Sequence, residues 1–434
     1  MPTGEKRSSP GKGRAGSLRD GKVTARVLAA LVSLAFALAF AGPSLAQEET
    51  TAAQDAGGDA PVETVPGEAL APPEIEAGAW ALADLGSGRL LGAERQDERL
   101  PLGSTTKIMS ALVALEAVEN GDVSLEDEVV ISPQAEEFVG SVYSNVGLIA
   151  GESVTMRELL EASLIPSGTE AVYALAEHVR GGGGESSVER FVGLMNGKAE
   201  EMGLRNTRFD SPAGLDSPDN YSSVRDIAEI SREAMGYPEF REIVAQPEAT
   251  ISTDSREIEV FNTNALLISY PPATGIKTGT TDEGGPSLVA SAEESGESYV
   301  SIVLDAVSAD GTEGDRFADS QAVLDYGFAN NETQTLANEG DVYGEADVPF
   351  RRGETVELAA AEDVEALVAP GTEFERRVTT DELPPSAQTG DRLGEVEIFV
   401  DGLSVGQSPL LATNGYEEAS FFQKTWYRVS SLWN

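Results

Sequence analysis

The chain has 434 residues, 40% of them hydrophobic, with 74 acidic against 30 basic side chains and a formal net charge of −44. Such apolar content supports a packed core in more than one domain, while the acid excess argues against nucleic acid as a partner. No cysteine is present and His178 is the single histidine, which excludes disulfides, a cysteine nucleophile and any two-histidine zinc site.

The N-terminal 46 residues read as a signal peptide. Lys6, Arg7, Lys12, Arg14, Arg19, Lys22 and Arg26 precede an uncharged run over residues 27–40, and Ser44-Leu45-Ala46 supplies a small-residue end. That run, 14 residues long, is short of the roughly 20 a spanning helix needs, so cleavage after Ala46 and export are expected. Seven of the 30 basic and two of the 74 acidic residues lie in this segment, which leaves −49 on the remainder. A surface this acidic suits a salty milieu, where screening weakens self-repulsion.

Residues 47–73 are acidic and rich in Ala, Gly and Pro, and are expected to form a disordered linker. Periodic sequence begins at Ala79-Trp80-Ala81-Leu82, turns at Gly86-Ser87-Gly88 and resumes at Arg89-Leu90-Leu91, a hairpin. Ile108, Met109, Ala111, Leu112, Leu115 and Val118 recur at helical spacing over residues 104–119, with Asn120-Gly121 as a stop. Helical patterns follow at 156–164, 169–179, 188–202 and 224–235, and strands dominate 251–307. Helices enclosed by strands predict an α+β domain over 74–330 with a mostly antiparallel sheet. From 336 to 412 short alternating runs predict a small all-β domain. In the tail, 416–434, Phe422, Trp426, Val429 and Trp433 share one face of a helix expected from residue 420, widened by Phe421 and Leu432. Gln423, Lys424, Arg428 and Ser431 lie opposite, which suits an anionic membrane surface, with docking on the β domain as the alternative.

Three short motifs carry chemistry. Ser104-Thr105-Thr106-Lys107 puts a hydroxyl and an amine one helical turn apart, and the unpaired N–H groups of a helix start disfavour the lysine cation. Taken alone, the serine is equally an ordinary helix cap and the lysine a solvated side chain. Lysine is scarce, however: after Ala46 only Lys107, Lys198, Lys277 and Lys424 occur. Lys277-Thr278-Gly279-Thr280 offers a charge, two hydroxyls and a glycine for close backbone approach, although a plain strand and turn would fit the same residues. Ser167-Gly168-Thr169 stands before a helix, where a cap is again the ordinary reading. His178 lies near the end of its helix, a solvated or capping position, and no metal-ligand cluster is visible, so no metal or cofactor is expected.

Order and spacing of the three motifs resemble the S-x-x-K, S-x-N and K-T-G set of penicillin-binding proteins and serine β-lactamases. With Phe191-Val192-Gly193-Leu194-Met195-Asn196, Asn206-Thr207, residues 221–226 and Gly275-Ile276, residues 74–415 are similar to low-molecular-mass D-alanyl-D-alanine carboxypeptidases. The resemblance implies a penicillin-binding fold, an antiparallel sheet with helices on both faces plus a helical subdomain, followed by a small β-sandwich. It implies Ser104 as nucleophile, Lys107 as base, Ser167 as proton relay, and Lys277, Thr278, Gly279 and Thr280 on the substrate carboxylate side, with Thr169 beside them. N–H groups of Ser104 and Thr280 would form the oxyanion hole. The implied partners are peptidoglycan stem peptides, with β-lactams as covalent inhibitors, at the outer face of the cytoplasmic membrane or the wall. The alternatives are a D,D-endopeptidase or serine β-lactamase, which would share all three motifs, and a wall-binding protein without turnover. Two positions depart from the family pattern: Thr169 stands where asparagine is usual, and Asn262-Thr263-Asn264 has threonine in place of arginine.

Overall fold

A computed structural model describes residues 62–181, 185–307 and 314–430. The signal-like segment and the start of the expected linker, together with Ser431, Leu432 and Trp433, lie outside the described residues.

The first domain is built on a five-stranded antiparallel sheet. Its order is Ala273–Thr281, Gly285–Glu294, Glu297–Leu304, Ala79–Asp84, Leu90–Glu94, so the strand with Lys277 is an edge. Strict alternation divides the strand Ala79–Asp84 between two cores: Ala79, Ala81 and Ala83 face the larger one, Trp80 and Leu82 the other. Burying each large apolar side chain in such cores stabilises by about 1.5–3 kcal/mol. Against the second face packs the helix Arg316–Asn330, through Val323 and Leu324. Helices Lys107–Glu119, Met156–Leu164, Thr169–Val179, Glu185–Glu201 and Val224–Met235 form the larger core on the first face. Local chemistry starts several of them. Thr155 and Glu158 make a reciprocal cap, Ser223 accepts from the Asp226 N–H, and Asp315 accepts from those of Phe317 and Ala318.

The last domain joins a six-stranded sheet and the ribbon of Glu332–Ala337 with Val364–Val368 around one core of Val356, Leu358, Val396, Ile398, Val400 and Leu410. Here the expected linker is corrected. Val62–Thr64 is a strand paired antiparallel with Glu373–Thr380, and Val65 is buried in the same core. Two valines three residues apart and the Glu63–Arg376 ion pair order a stretch whose bulk composition reads as disordered. The domain's strands also begin before residue 336, at Glu332. It docks on the first domain where Arg89 donates to the Leu367 carbonyl and where Leu367 joins the second core.

Candidate active site

Ser104 does not cap an α-helix. Gly103–Thr106 is a 3-10 turn that leads into the helix Lys107–Glu119, and neither element start carries a side-chain cap. The turn is wedged between two glycines. A Cβ on Gly279 of the edge strand would lie 2.6 Å from the Leu102 carbonyl oxygen, and one on Gly214 would lie 1.8 Å from that of Gly103. Only glycine permits both approaches, and at Gly214, φ +77°, the backbone is left-handed as well. Ser110 Oγ donates to the Pro212 carbonyl at 2.7 Å and Asn220 Nδ2 to Thr106 Oγ1 at 3.3 Å, which tie the 211–220 loop to the same helix.

Lys107 Nζ donates to Ser104 Oγ at 2.8 Å and to the Ala213 carbonyl at 3.4 Å. The lysine is 1% exposed, and desolvation lowers its pKa to about 7, with Glu170 acting in the opposite sense. A neutral amine bonded to a hydroxyl is able to take its proton, while the hydroxyl oxygen attacks an acyl carbon. Lys277, also buried, donates to the Thr278 carbonyl at 3.1 Å; burial first, then Lys107 and Arg316, hold its pKa well below the ordinary value. Thr278 Oγ1 lies 2.6 Å from Thr263 Oγ1, and Thr280 is exposed at the strand end, with its N–H packed against Gly103.

Ser167 is buried, its Oγ makes no hydrogen bond, and its φ of +69° is a conformation that costs a non-glycine residue about 1–2 kcal/mol. The Thr169 N–H donates to the Ser144 carbonyl at 2.8 Å, and Thr169 itself is buried at the first turn of its helix. The structure thus brings Ser104, Lys107, Lys277, Gly279 and Thr280 to one junction of turn and edge strand. Ser167 precedes, and Thr169 begins, the helix whose Glu170 is the charged neighbour of Lys107.

Residues 67–308 match the family model described as D-alanyl-D-alanine carboxypeptidase, more than half of the chain. The chain belongs to that family. Residues 332–418 match the C-terminal domain of penicillin-binding protein 5. Among relatives, D-alanyl-D-alanine carboxypeptidase DacC of Escherichia coli (strain K12) is 33% identical over 82% of this chain and 88% of its own. DacF of Bacillus subtilis (strain 168) is 30% identical over 80% and 87%. The solved structure of penicillin-binding protein 5 from Haemophilus influenzae superposes with a TM-score of 0.64 at 31% identity, covering 80% of this chain and all of that one.

One residue of this carboxypeptidase-family site carries no mark in the sequence. Arg316, 36 residues beyond Thr280, donates through Nη1 to the Gly279 carbonyl and to Thr280 Oγ1, both at 2.7 Å. Asn196, Asn206, Thr207 and Asp226 belong to the resembling segments, yet their work here is scaffolding. Asn196 exchanges hydrogen bonds with the Phe209 backbone, and Asp226 accepts from the Asn206 N–H and Thr207 Oγ1, which fold the loop that carries Gly214. His178 holds Asp127 at 3.0 Å, a brace between helix end and loop.

Proposed function

We propose that the protein removes the terminal D-alanine of peptidoglycan stem peptides as a serine-type D-alanyl-D-alanine carboxypeptidase, with Ser104 as nucleophile. The observation that carries the reading is the 2.8 Å contact between Ser104 Oγ and a buried Lys107 amine whose pKa stands at about 7. Lys107 Nζ takes the hydroxyl proton as Oγ attacks the carbonyl between the two D-alanines. The N–H groups of Ser104 and Thr280 hold the oxyanion, each worth about 2.7–4 kcal/mol. The C–N bond then breaks as Ser167 relays the proton held on Lys107 Nζ to the leaving amine; water attacks the ester, its proton passing through Lys107 to Ser104 Oγ, to free the trimmed stem. Lys277, Thr278 and Thr280, joined by the Arg316 guanidinium, hold the terminal carboxylate; a fixed cation with further donors around one anion favours a substrate ending in a free carboxyl group. Gly279 leaves room for the stem backbone, and Thr169 contributes to stem-peptide binding. β-Lactams would acylate the same hydroxyl.

The same reading places the protein outside the cytoplasmic membrane after export. In support of a membrane contact, the helix Phe421–Ser430 turns Tyr427 onto Phe350 and leaves Phe421, Phe422 and Trp426 each at least 75% exposed. No helix among the described residues is long and apolar enough to span a bilayer.

The test is incubation of the purified protein with a stem pentapeptide and assay of free D-alanine. Stoichiometric tetrapeptide and D-alanine are expected; cleavage of cross-linked muropeptides alone, seen by mass spectrometry, would make it an endopeptidase.

A further inference from the structure

Glu170 is a carboxylate with no exposure to solvent, one residue beyond the Ser167-Gly168-Thr169 turn. Its Oε1 accepts the backbone N–H groups of Val146 at 2.6 Å, Gly147 at 2.8 Å and Leu148 at 3.4 Å, while Oε2 is buried without a hydrogen-bond partner. Buried carboxylate oxygens are kept unpartnered at a cost, so this one calls for a physical reason. Loop 144–148 in turn accepts the Thr169 N–H at Ser144, and its outer side is braced by Arg256, which binds both Glu152 and the Gly147 carbonyl. The left-handed backbone of Ser167 is therefore held next to a loop that Glu170 grips from inside.

We infer that Glu170 is a positioning residue: it clamps loop 144–148 to the turn that carries Ser167, and it fixes a negative charge beside the Lys107 amine. This rests on Lys107 acting as base. Without the charge, desolvation would act on Lys107 unopposed. Other charges on the elements packed around Lys107 are engaged elsewhere. Asp226 binds Asn206 and Thr207, Lys198 pairs with Glu116 at the far end of the lysine's own helix, and Glu161 pairs with Arg157. Glu177 lies two turns along the helix from Glu170, and Arg316 stands beyond Lys277 at the edge strand.

The experiment is the second-order rate of covalent labelling by a fluorescent penicillin from roughly pH 5 to 9, with melting temperature, for the wild type, Glu170→Gln and Glu170→Asp. Glutamine keeps an oxygen for the three N–H groups and loses only the charge. Its acid limb is expected to move to lower pH by about one unit, because a lysine stripped of its anion holds its proton less tightly. Aspartate keeps the charge on a shorter arm, so its limb stays with the wild type while the labelling rate falls. A glutamine limb superposed on the wild type overturns the inference, even if that variant melts earlier, since the role would then be structural alone. If the glutamine variant does not fold, an aspartate limb displaced from the wild type overturns it. A wild type with no acid limb near pH 7 removes Lys107 as base and the inference with it.

Discussion

The chemistry turns on how the two hydroxyl–amine partners divide one proton. Below about pH 7 the Lys107 amine is protonated and unable to accept from Ser104, so acylation by penicillin should fall about tenfold per pH unit there. Ser104→Ala should abolish labelling, and Lys107→Ala should reduce it nearly as far, because nucleophile and base act as a unit. Intact-mass spectrometry after incubation with penicillin reads both; an adduct surviving on the alanine variant would place the nucleophile elsewhere. Thr169 is a milder case. Asparagine there supplies an amide that both donates and accepts, so Thr169→Asn should release D-alanine at an equal or higher rate with little change in melting temperature. A large loss would show that the buried pocket around Thr169 is fitted to threonine.

Elements position that pair by contact between backbones. Gly214 lies against both Gly103 and Thr106, so Gly214→Ala must displace the 3-10 turn or the loop beneath it. A left-handed alanine costs about 1–3 kcal/mol, and the labelling rate should drop at least about tenfold through the shifted Ser104. Crystallography or denaturation combined with labelling separates the two effects; unchanged labelling would show that the turn does not depend on this contact. The C-terminal helix makes a different prediction. With Phe421, Phe422, Trp426 and Val429 exposed on one side, and Lys424 and Arg428 near Phe350 on the other, the protein should float with anionic liposomes, and truncation of residues 416–434 should abolish it. Equal flotation of both forms would assign membrane contact to another surface.

At the scale of the molecule, charge governs the conditions of stability. A net −44 places many like charges within a Debye length of one another at low salt. Raising NaCl from about 0.1 to about 1 M shortens that length from ~10 to ~3 Å, and the melting temperature should rise accordingly. Calorimetry at several salt concentrations checks this. A fall would mean that attractive pairs such as Arg157–Glu242 and Arg225–Asp97 outweigh the repulsion. The two domains share that charge, and their contact through Arg89 and Leu367 buries a cation whose pKa desolvation lowers.

Sequence by itself determined the elements and the reactive triplets. Helical spacing from Ile108 to Val118 placed the helix that follows Ser104, alternation placed the sheet and the β domain, and residue type with spacing singled out Ser104, Lys107, Ser167 and Lys277. These signals are local: a period, a cap or a three-residue gap lies within one element. What joins elements was not legible. Arg316 reaches Thr280 from the start of another helix, Gly214 supports Gly103 across 111 residues, and Glu170 grips a loop 22 to 24 residues upstream. Val62–Thr64 finds its partner strand beyond residue 370. Each of these depends on distances set by packing, and burial, opposed in part by Glu170 and decided in three dimensions, brings the Lys107 amine to a pKa of about 7.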